Sequence, residues 1–290
     1  MPEYRPTLAW TNLARAAICV AVALSPRLAF ATSGYFQPGY GLKSKGMGGV
    51  AVALPQDALV AATNPAGMVW IGNRLDVGLE QFEANRGSII AGNIMGLSGV
   101  RDANERSSFA IPELGFNRLL APDRSLGFSV YANGGMTAYQ DNPLAVLNGS
   151  NPAGMKFEQG NFAPTYAMKL SANHSVGMSL NVVYQRVRAE GVQHFDDPIF
   201  SAYPGEVTNR GTDTAWGLGW RAGWIGRLTE SLSVGAAYQP RISMEKFGKY
   251  KGLLADAGNF DVPENYTAGA AYKPNSALTM ALDVQQINYG

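Results

Sequence analysis

The side chains able to do chemistry are few and poorly placed for catalysis. Two histidines occur in 290 residues, His174 in a four-residue turn and His194 beside Asp196 and Asp197 in a long connection. Carboxylates next to a histidine are a metal-site pattern, but in a loop they read as solvated charges, and no positioned serine completes a hydrolytic triad. Gly41 and Gly46 have the spacing of a phosphate loop, yet Met47 stands where that loop needs lysine. The single cysteine, Cys19, lies in the N-terminal leader, which excludes disulfides, thiol nucleophiles and cysteine metal sites from the mature chain. No enzyme, metal or cofactor is expected. What remains is affinity for apolar matter. Phe195, Ile199, Phe200 and Tyr203 in one long connection, and Phe247, Leu253, Leu254 and Phe260 in another, are oily residues in segments otherwise exposed to water. Such residues either form a binding patch or pack the connections together. Lys246, Lys249 and Lys251 beside them either draw in a carboxylate or are solvated.

The elements that carry these connections read as strands. In HSVGMSLNVVYQRVRAE, residues 174–190, Val176, Met178, Leu180, Val182 and Tyr184 share one parity, while Gly177, Ser179, Asn181 and Gln185 share the other. A period of two sends the sets to opposite faces of a strand. Nine such segments are expected, at 75–84, 109–117, 126–135, 162–171, 175–189, 214–228, 232–244, 266–273 and 278–289. Oily faces such as Phe162, Tyr166, Met168 and Leu170 oppose small or polar ones. Pro112 has no N–H for a ladder and predicts an interruption in the second segment. The connections alternate long and short four times, as in a barrel inserted from the periplasm and unlike the mixed loops of a soluble sandwich. Composition agrees, with charged residues at 16% against about 25% in ordinary soluble domains. No run in the body of the chain reaches the ~20 apolar residues of a transmembrane helix.

The first residues read as an address. Arg5 and Arg15 flank or precede an apolar run over 16–24, and Ala29-Phe30-Ala31 is a cleavage signature, so residues 1–31 are predicted to be a signal peptide. Its removal takes three basic residues (Arg5, Arg15, Arg27) and one acidic (Glu3) from totals of 23 and 22, leaving a net charge of −1. No basic excess recommends nucleic acid as a partner. Residues 32–73 do not alternate. Pro55 and Asp57 as helix-start signals, Asn64-Pro65 as a breaker and glycines at 46, 48 and 49 predict a compact, partly helical, hinged piece.

That piece, GYFQPGYGLKSKGMGGVAVALPQDALVAATNPAGMVWIG, with Asn64, Pro65, Ala66 and Gly67 after small residues, resembles the N-terminal hatch of the FadL/TodX family. The family comprises outer-membrane transporters of long-chain fatty acids and aromatic hydrocarbons. IPELGF with Asn117-Arg118, SLGFSVYANGGM, the NRG at 209–211, the KFGKYKG at 246–252 and LTMALDVQQINYG are similar to it as well, so the resemblance covers 34–290. A second NPAGM, at 151–155, reads as a local turn in a long connection. The resemblance implies an all-β fold: a fourteen-stranded transmembrane antiparallel β-barrel, here residues 74–290, plugged by a hatch at 32–73. With nine strands marked, an incomplete, C-terminally truncated barrel is expected.

The location implied is the outer membrane of a Gram-negative bacterium, and the implied function is uptake of hydrophobic compounds, long-chain fatty acids foremost. The ligand is captured by loop residues Phe195, Phe200, Phe247, Lys249, Lys251, Leu253, Leu254 and Phe260 and passes to a lumen pocket at the hatch. It then leaves sideways where Asn133, Gly134 and Gly135 kink the third strand. The same three residues also fit a tight strand end before a loop. Asn64, Pro65, Ala66 and Gly67 would anchor the hatch, Pro65 fixing φ and Gly67 permitting a positive φ. Implied partners are a hydrophobic small molecule, outer-membrane lipid, and the secretion and barrel-assembly machinery, with the chain a monomer. An aromatic hydrocarbon channel, a general porin and a structural or adhesive surface barrel are the alternatives.

Overall fold

The computed structural model describes residues 33–94 and 96–289. The chain divides into two units, Met1–Gly34 and Tyr35–Gly290, and every element below belongs to the second. The predicted leader and its Cys19 lie outside the described residues. The strands are β1 (Arg74–Glu83), β2 (Gly87–Ile90), β3 (Gly99–Asp102), β4 (Ser108–Ala121), β5 (Arg124–Tyr139), β6 (Ala153–Lys169), β7 (His174–Glu190), β8 (Asp213–Arg227), β9 (Leu232–Gln239), β10 (Glu264–Asn275) and β11 (Leu278–Asn288). Nine of them form one sheet in the order β1-β4-β5-β6-β7-β8-β9-β10-β11, while β2 and β3 make a hairpin within the first long connection. Each ladder of the large sheet is antiparallel. The sheet is a curled half-barrel with an inner and an outer face, and all nine expected segments are in it.

Parity decides which face each residue takes. Met178, Leu218 and Trp216 point outward and are 53%, 63% and 52% exposed, whereas Ser179, Gln185 and Asn181 point inward and are buried. An apolar belt facing out over a polar interior is stable only where hydrocarbon lies outside. Among the described residues no helix is long and apolar enough to cross a membrane.

Three boundaries differ from expectation, each for a physical reason. β6 begins at Ala153, so residues placed in a turn of the second NPAGM are already strand, paired with β5 from Tyr139↔Ala153 onward. Ala153 and Phe157 are buried there while Lys156 and Glu158 face out, so the stretch lacks the oily outer face by which the other strands are recognised. β9 stops at Gln239, before Pro240. The chain then turns inward, where Ile242 bridges to Val262 and Met244 to Gly217. β4 is unbroken, with Pro112 opposite Leu79 of β1. The interruption falls instead in the ladder to β5, whose register begins only at Leu114↔Val130.

Residues 35–73 lie against the inner face as a helical turn, Leu42–Gly46, and two 3-10 helices, Ala58–Ala62 and Pro65–Trp70. Asp57 caps the first, its carboxylate accepting the Leu59 N–H at 3.0 Å. The break expected at Asn64-Pro65 separates the two, and Asn64 also caps the second, accepting the Ala66 N–H at 3.1 Å. Pro65 is the first helical residue, where the missing N–H costs no bond. Gly67 is not at positive φ. Its lack of a side chain is used for space, since a Cβ there would lie 2.7 Å from Val60 Cγ2. The wall makes room in the same way. A Cβ on Gly177 would lie 2.5 Å from the Pro65 carbonyl carbon, and one on Gly223 would lie 2.0 Å from Asn64 Oδ1. Gly177→Val and Gly223→Val should therefore each lower the melting temperature of the purified protein, by an overpacking cost of about 1–3 kcal/mol. Gly160→Ala, where nothing lies within 4 Å, should leave it unchanged; equal melting of all three would refute the steric argument.

Candidate functional site

Irregular backbone inside a barrel has no ladder to satisfy it, and the wall supplies side chains instead. Asn64 Nδ2 donates to the carbonyls of Val52 (2.8 Å) and Trp224 (3.0 Å). Asn117 Nδ2 donates to those of Met68 and Gly72, both at 2.8 Å. The Asp283 carboxylate accepts the N–H groups of Ala51 (2.7 Å) and Val52 (2.9 Å), and Asp76 accepts that of Ala58 (2.9 Å) while paired with Arg74. Ser175 Oγ donates to the Ala66 carbonyl at 3.0 Å and accepts from Trp70 Nε1 at 2.7 Å. Lys45 binds both Glu113 and Glu80. Strands from β1 to β11 thus hold one segment, and Asn64, Pro65, Ala66 and Gly67 sit together at its centre, all buried. Burial holds the Asp57 carboxyl above the usual carboxylate range, against its bond from Leu59.

β5 has a second peculiarity. Its ladder to β6 runs without a register shift from Arg124 to Tyr139, so Asn133, Gly134 and Gly135 lie inside a continuous strand and not at its end. On the other edge, pairing with β4 lapses beyond Val130. Two residues further along that register Ala132 would stand opposite Pro112, which has no N–H to offer. The start of the inner segment takes over: Gln37 Nε2 donates to the Ala132 carbonyl, the Gly134 N–H donates to the Tyr35 carbonyl at 3.0 Å, and Tyr40 Oη donates to Asn133 Oδ1 at 2.6 Å. Above, Asn104 of the first long connection bridges to Ala138.

Beside this edge is an aromatic cluster. Tyr35 stacks on Phe36 (4.9 Å), meets Phe157 edge-on (4.9 Å) and lies 5.9 Å from Tyr289, and Phe157 lies 4.7 Å from Phe260. Burial pushes the Tyr35 and Tyr40 hydroxyls well up, so both stay neutral, and that of Tyr40 donates to Asn133. Next to it a cavity of about 140 Å³ is lined by Gln37, Tyr40, Gly49, Thr63, Arg221 and Asn265, among others. Arg221 is 4% exposed. Its Nη2 donates to Gln239 Oε1 at 2.8 Å, and its Nη1 makes no hydrogen bond.

The loop candidates separate. Phe195 and Phe200 are exposed and form a three-ring cluster with His194, at 5.3 to 5.5 Å. Leu253 is partly exposed, whereas Phe247 is fully buried in a core with Phe36, Val187, Ile242 and Tyr250, against which Leu254 and Phe260 pack. The lysines are engaged: Lys246 Nζ donates to the Asp256 carbonyl and Lys249 Nζ to that of Thr212, both at 2.7 Å, and Lys251 pairs with Glu206 at 3.1 Å. Asp196 and Asp197, read as solvated, accept the N–H groups of Gly205 and Ile199 within their own exposed loop. Among the described residues no cluster of three or more His, Cys, Asp or Glu side chains could hold a metal.

Sequence reading passed over Tyr35, Phe36, Tyr40 and Arg221 as site residues. A charged side chain on the inward parity of a membrane strand was the available signal for Arg221; the tyrosines carry no periodicity that marks them. For Asn64, replacement by alanine should cost about 1–3 kcal/mol for its orphaned buried partners. Asn64→Asp keeps the cap acceptor but points an oxygen at two carbonyls, so thermal melting should rank wild type above Asn64→Ala above Asn64→Asp. Wild-type melting in the aspartate variant would contradict the assigned donors.

The model of the family described as Outer membrane protein transport protein (OMPP1/FadL/TodX) matches residues 39–289. No curated protein matches the sequence. Among solved structures, the chain is similar to the toluene transporter TbuX of Ralstonia pickettii, with a TM-score of 0.64 at 18% identity over 86% of this chain and 72% of that one. It is similar to the toluene transporter TodX of Pseudomonas putida, with 0.63 at 16% over 88% and 71%, and to a Pseudomonas aeruginosa FadL homologue, with 0.60 at 15% over 87% and 69%. Identities this low speak for the fold, and the match to the family model speaks for descent: the chain belongs to the OMPP1/FadL/TodX family of outer-membrane transport proteins.

Proposed function

We propose that the chain takes up hydrophobic compounds across the outer membrane, with long-chain fatty acids as the principal ligands, and that residues 35–73 act as its hatch. The observation that carries this reading is the lapse of the β4–β5 ladder beside the Tyr35 cluster. An unpaired strand edge in a barrel wall is costly in lipid unless it borders a passage or a substitute partner. Here the substitutes come from the hatch, at Tyr35, Gln37 and Tyr40, so movement of those residues would free Asn133, Gly134 and Gly135 as a lateral exit. Exposed Phe195, Phe200 and Leu253 serve as the first apolar contacts at the loop end. Lys249 and Lys251 add positive charge there. The unpaired Nη1 of buried Arg221 at the cavity favours a ligand with a carboxylate. Residues 1–31 act as the secretion signal, and the barrel-assembly machinery inserts the chain as a monomer.

A second reading rests on the aromatic cluster, whose rings at 4.7 to 5.9 Å suit a flat arene. TbuX and TodX are described as toluene transporters and CymD as a monoaromatic hydrocarbon channel. Titration of the purified protein in detergent with a fluorescent fatty acid and with toluene separates the two. Arg221→Gln should weaken the fatty acid about tenfold or more, the worth of a charge-assisted hydrogen bond, and leave toluene unchanged. Toluene binding with no fatty-acid binding would establish the hydrocarbon reading instead, and an equal loss for both would make Arg221 a packing residue.

A further inference from the structure

On the outer face of β6, β7 and β8, polarity changes abruptly at one row. Gly160, Tyr184 and Trp216 are paired neighbours, and the rings of the last two lie 4.7 Å apart, tilted at 46°. Below them run Val182, Leu180, Met178 and Leu218. From His174 to Tyr184 is ~33 Å along the strand, or about 25 Å once tilted, the height of an outer-membrane apolar band. The Tyr184–Trp216 pair therefore lies at the loop-side interface, and the next rows stand at headgroup level.

Those rows are basic. Glu158 pairs with Arg186 and Lys156 with Arg188 across the β6–β7 ladder. Arg106 from the connection before β4 and Thr212 before β8 close a pocket of about 110 Å³ over them. Four cations line it against one carboxylate. Glu158 is shared by Lys156 (2.8 Å) and Arg186 (3.6 Å), and Glu190 takes Arg188 Nη2 at 2.5 Å. Counting both carboxylates leaves two positive charges in excess. Arg188 Nε is buried and makes no hydrogen bond, and the Arg186 side chain is about half exposed to the outside. β7 lies in the middle of the sheet, flanked by β6 and β8, so neither sheet edge contributes to the site.

We propose that this pocket binds the phosphate of an outer-leaflet lipid headgroup, a phosphorylated glycolipid of the lipid A type, whose acyl chains lie down the wall over Trp216, Leu218 and Leu180. Guanidinium groups on adjacent strands present forked donors that match phosphate oxygens, and basic pockets at the membrane surface select anionic headgroups. The apolar belt directly beneath is what distinguishes a lipid from a free anion. The site is on the outer wall, away from the Arg221 cavity, and does not depend on which hydrophobic compound is transported.

The test uses the full chain in detergent, titrated with diphosphorylated lipid A, with its dephosphorylated form and with inorganic phosphate. Saturable binding of diphosphorylated lipid A is expected, weaker by about tenfold or more for the dephosphorylated lipid and for Arg186→Gln with Arg188→Gln. Glu158→Gln, which removes the competing carboxylate, should tighten binding, a gain that a merely structural role would not produce. Millimolar inorganic phosphate should compete poorly; if it displaces the lipid fully, the site is one for free anions and the lipid proposal fails. Binding unaltered by the double variant, with its melting temperature intact, would overturn the proposal, as would no tightening in Glu158→Gln.

Discussion

The structure depends on one requirement: about forty residues of irregular backbone are buried inside a curled sheet, away from water, and each N–H and C=O must find a partner. The inner face meets it residue by residue. Where backbone meets backbone the wall has glycine, as at Gly177 and Gly223; where a carbonyl is orphaned it offers Asn117 or Ser175; where an amide is orphaned it offers Asp283 or Asp76. Asn64 works from the other side, bonding the wall at Trp224 and its own segment at Val52 and Ala66. The small, polar inward parity is thus the negative of the segment it holds.

A second constraint runs along the strand axis. Through the membrane the outer face is apolar and the inner face polar. Past Tyr184 and Trp216 the outer face meets water and headgroups, and it becomes charged at Lys156, Glu158, Arg186 and Arg188. The inner face there becomes apolar, with Phe36, Val187, Ala189 and Phe247 in one core. The same strands therefore serve as membrane wall below and as the side of a greasy vestibule above, and the loop residues Ile242, Met244 and Phe247 fold inward to fill it. This explains why Phe247, an oily loop residue, is fully buried while Phe200 is not.

β5 joins the two systems. One edge is zipped to β6 over its whole length, and the other is satisfied in turn by β4, by Gln37 and Tyr35, and by Asn104. A proline at 112 stands opposite Leu79 of β1, at a point where the ladder to β5 has already ended. The place where the wall's own pairing stops is also where the inner segment begins, so there β5 is held by Tyr35, Gln37 and Tyr40 and not by a second strand ladder.

The sequence alone determined the strands, their alternation of long and short connections and the outward parity, because a period of two combined with a lipid-facing surface leaves a mark at every second residue. It also determined the family, through local patterns such as Asn64, Pro65, Ala66 and Gly67. It misread what depends on partners distant in the chain. The start of β6 carries its apolar residues inward, and Gly67 serves space rather than φ. Only the tertiary structure decided that Arg221 lines a cavity, that Tyr35 and Gln37 complete the edge of β5, and that four basic residues from three connections and strands share one pocket. Those facts arise from the curl of the sheet, which brings together residues that no periodicity along the chain relates.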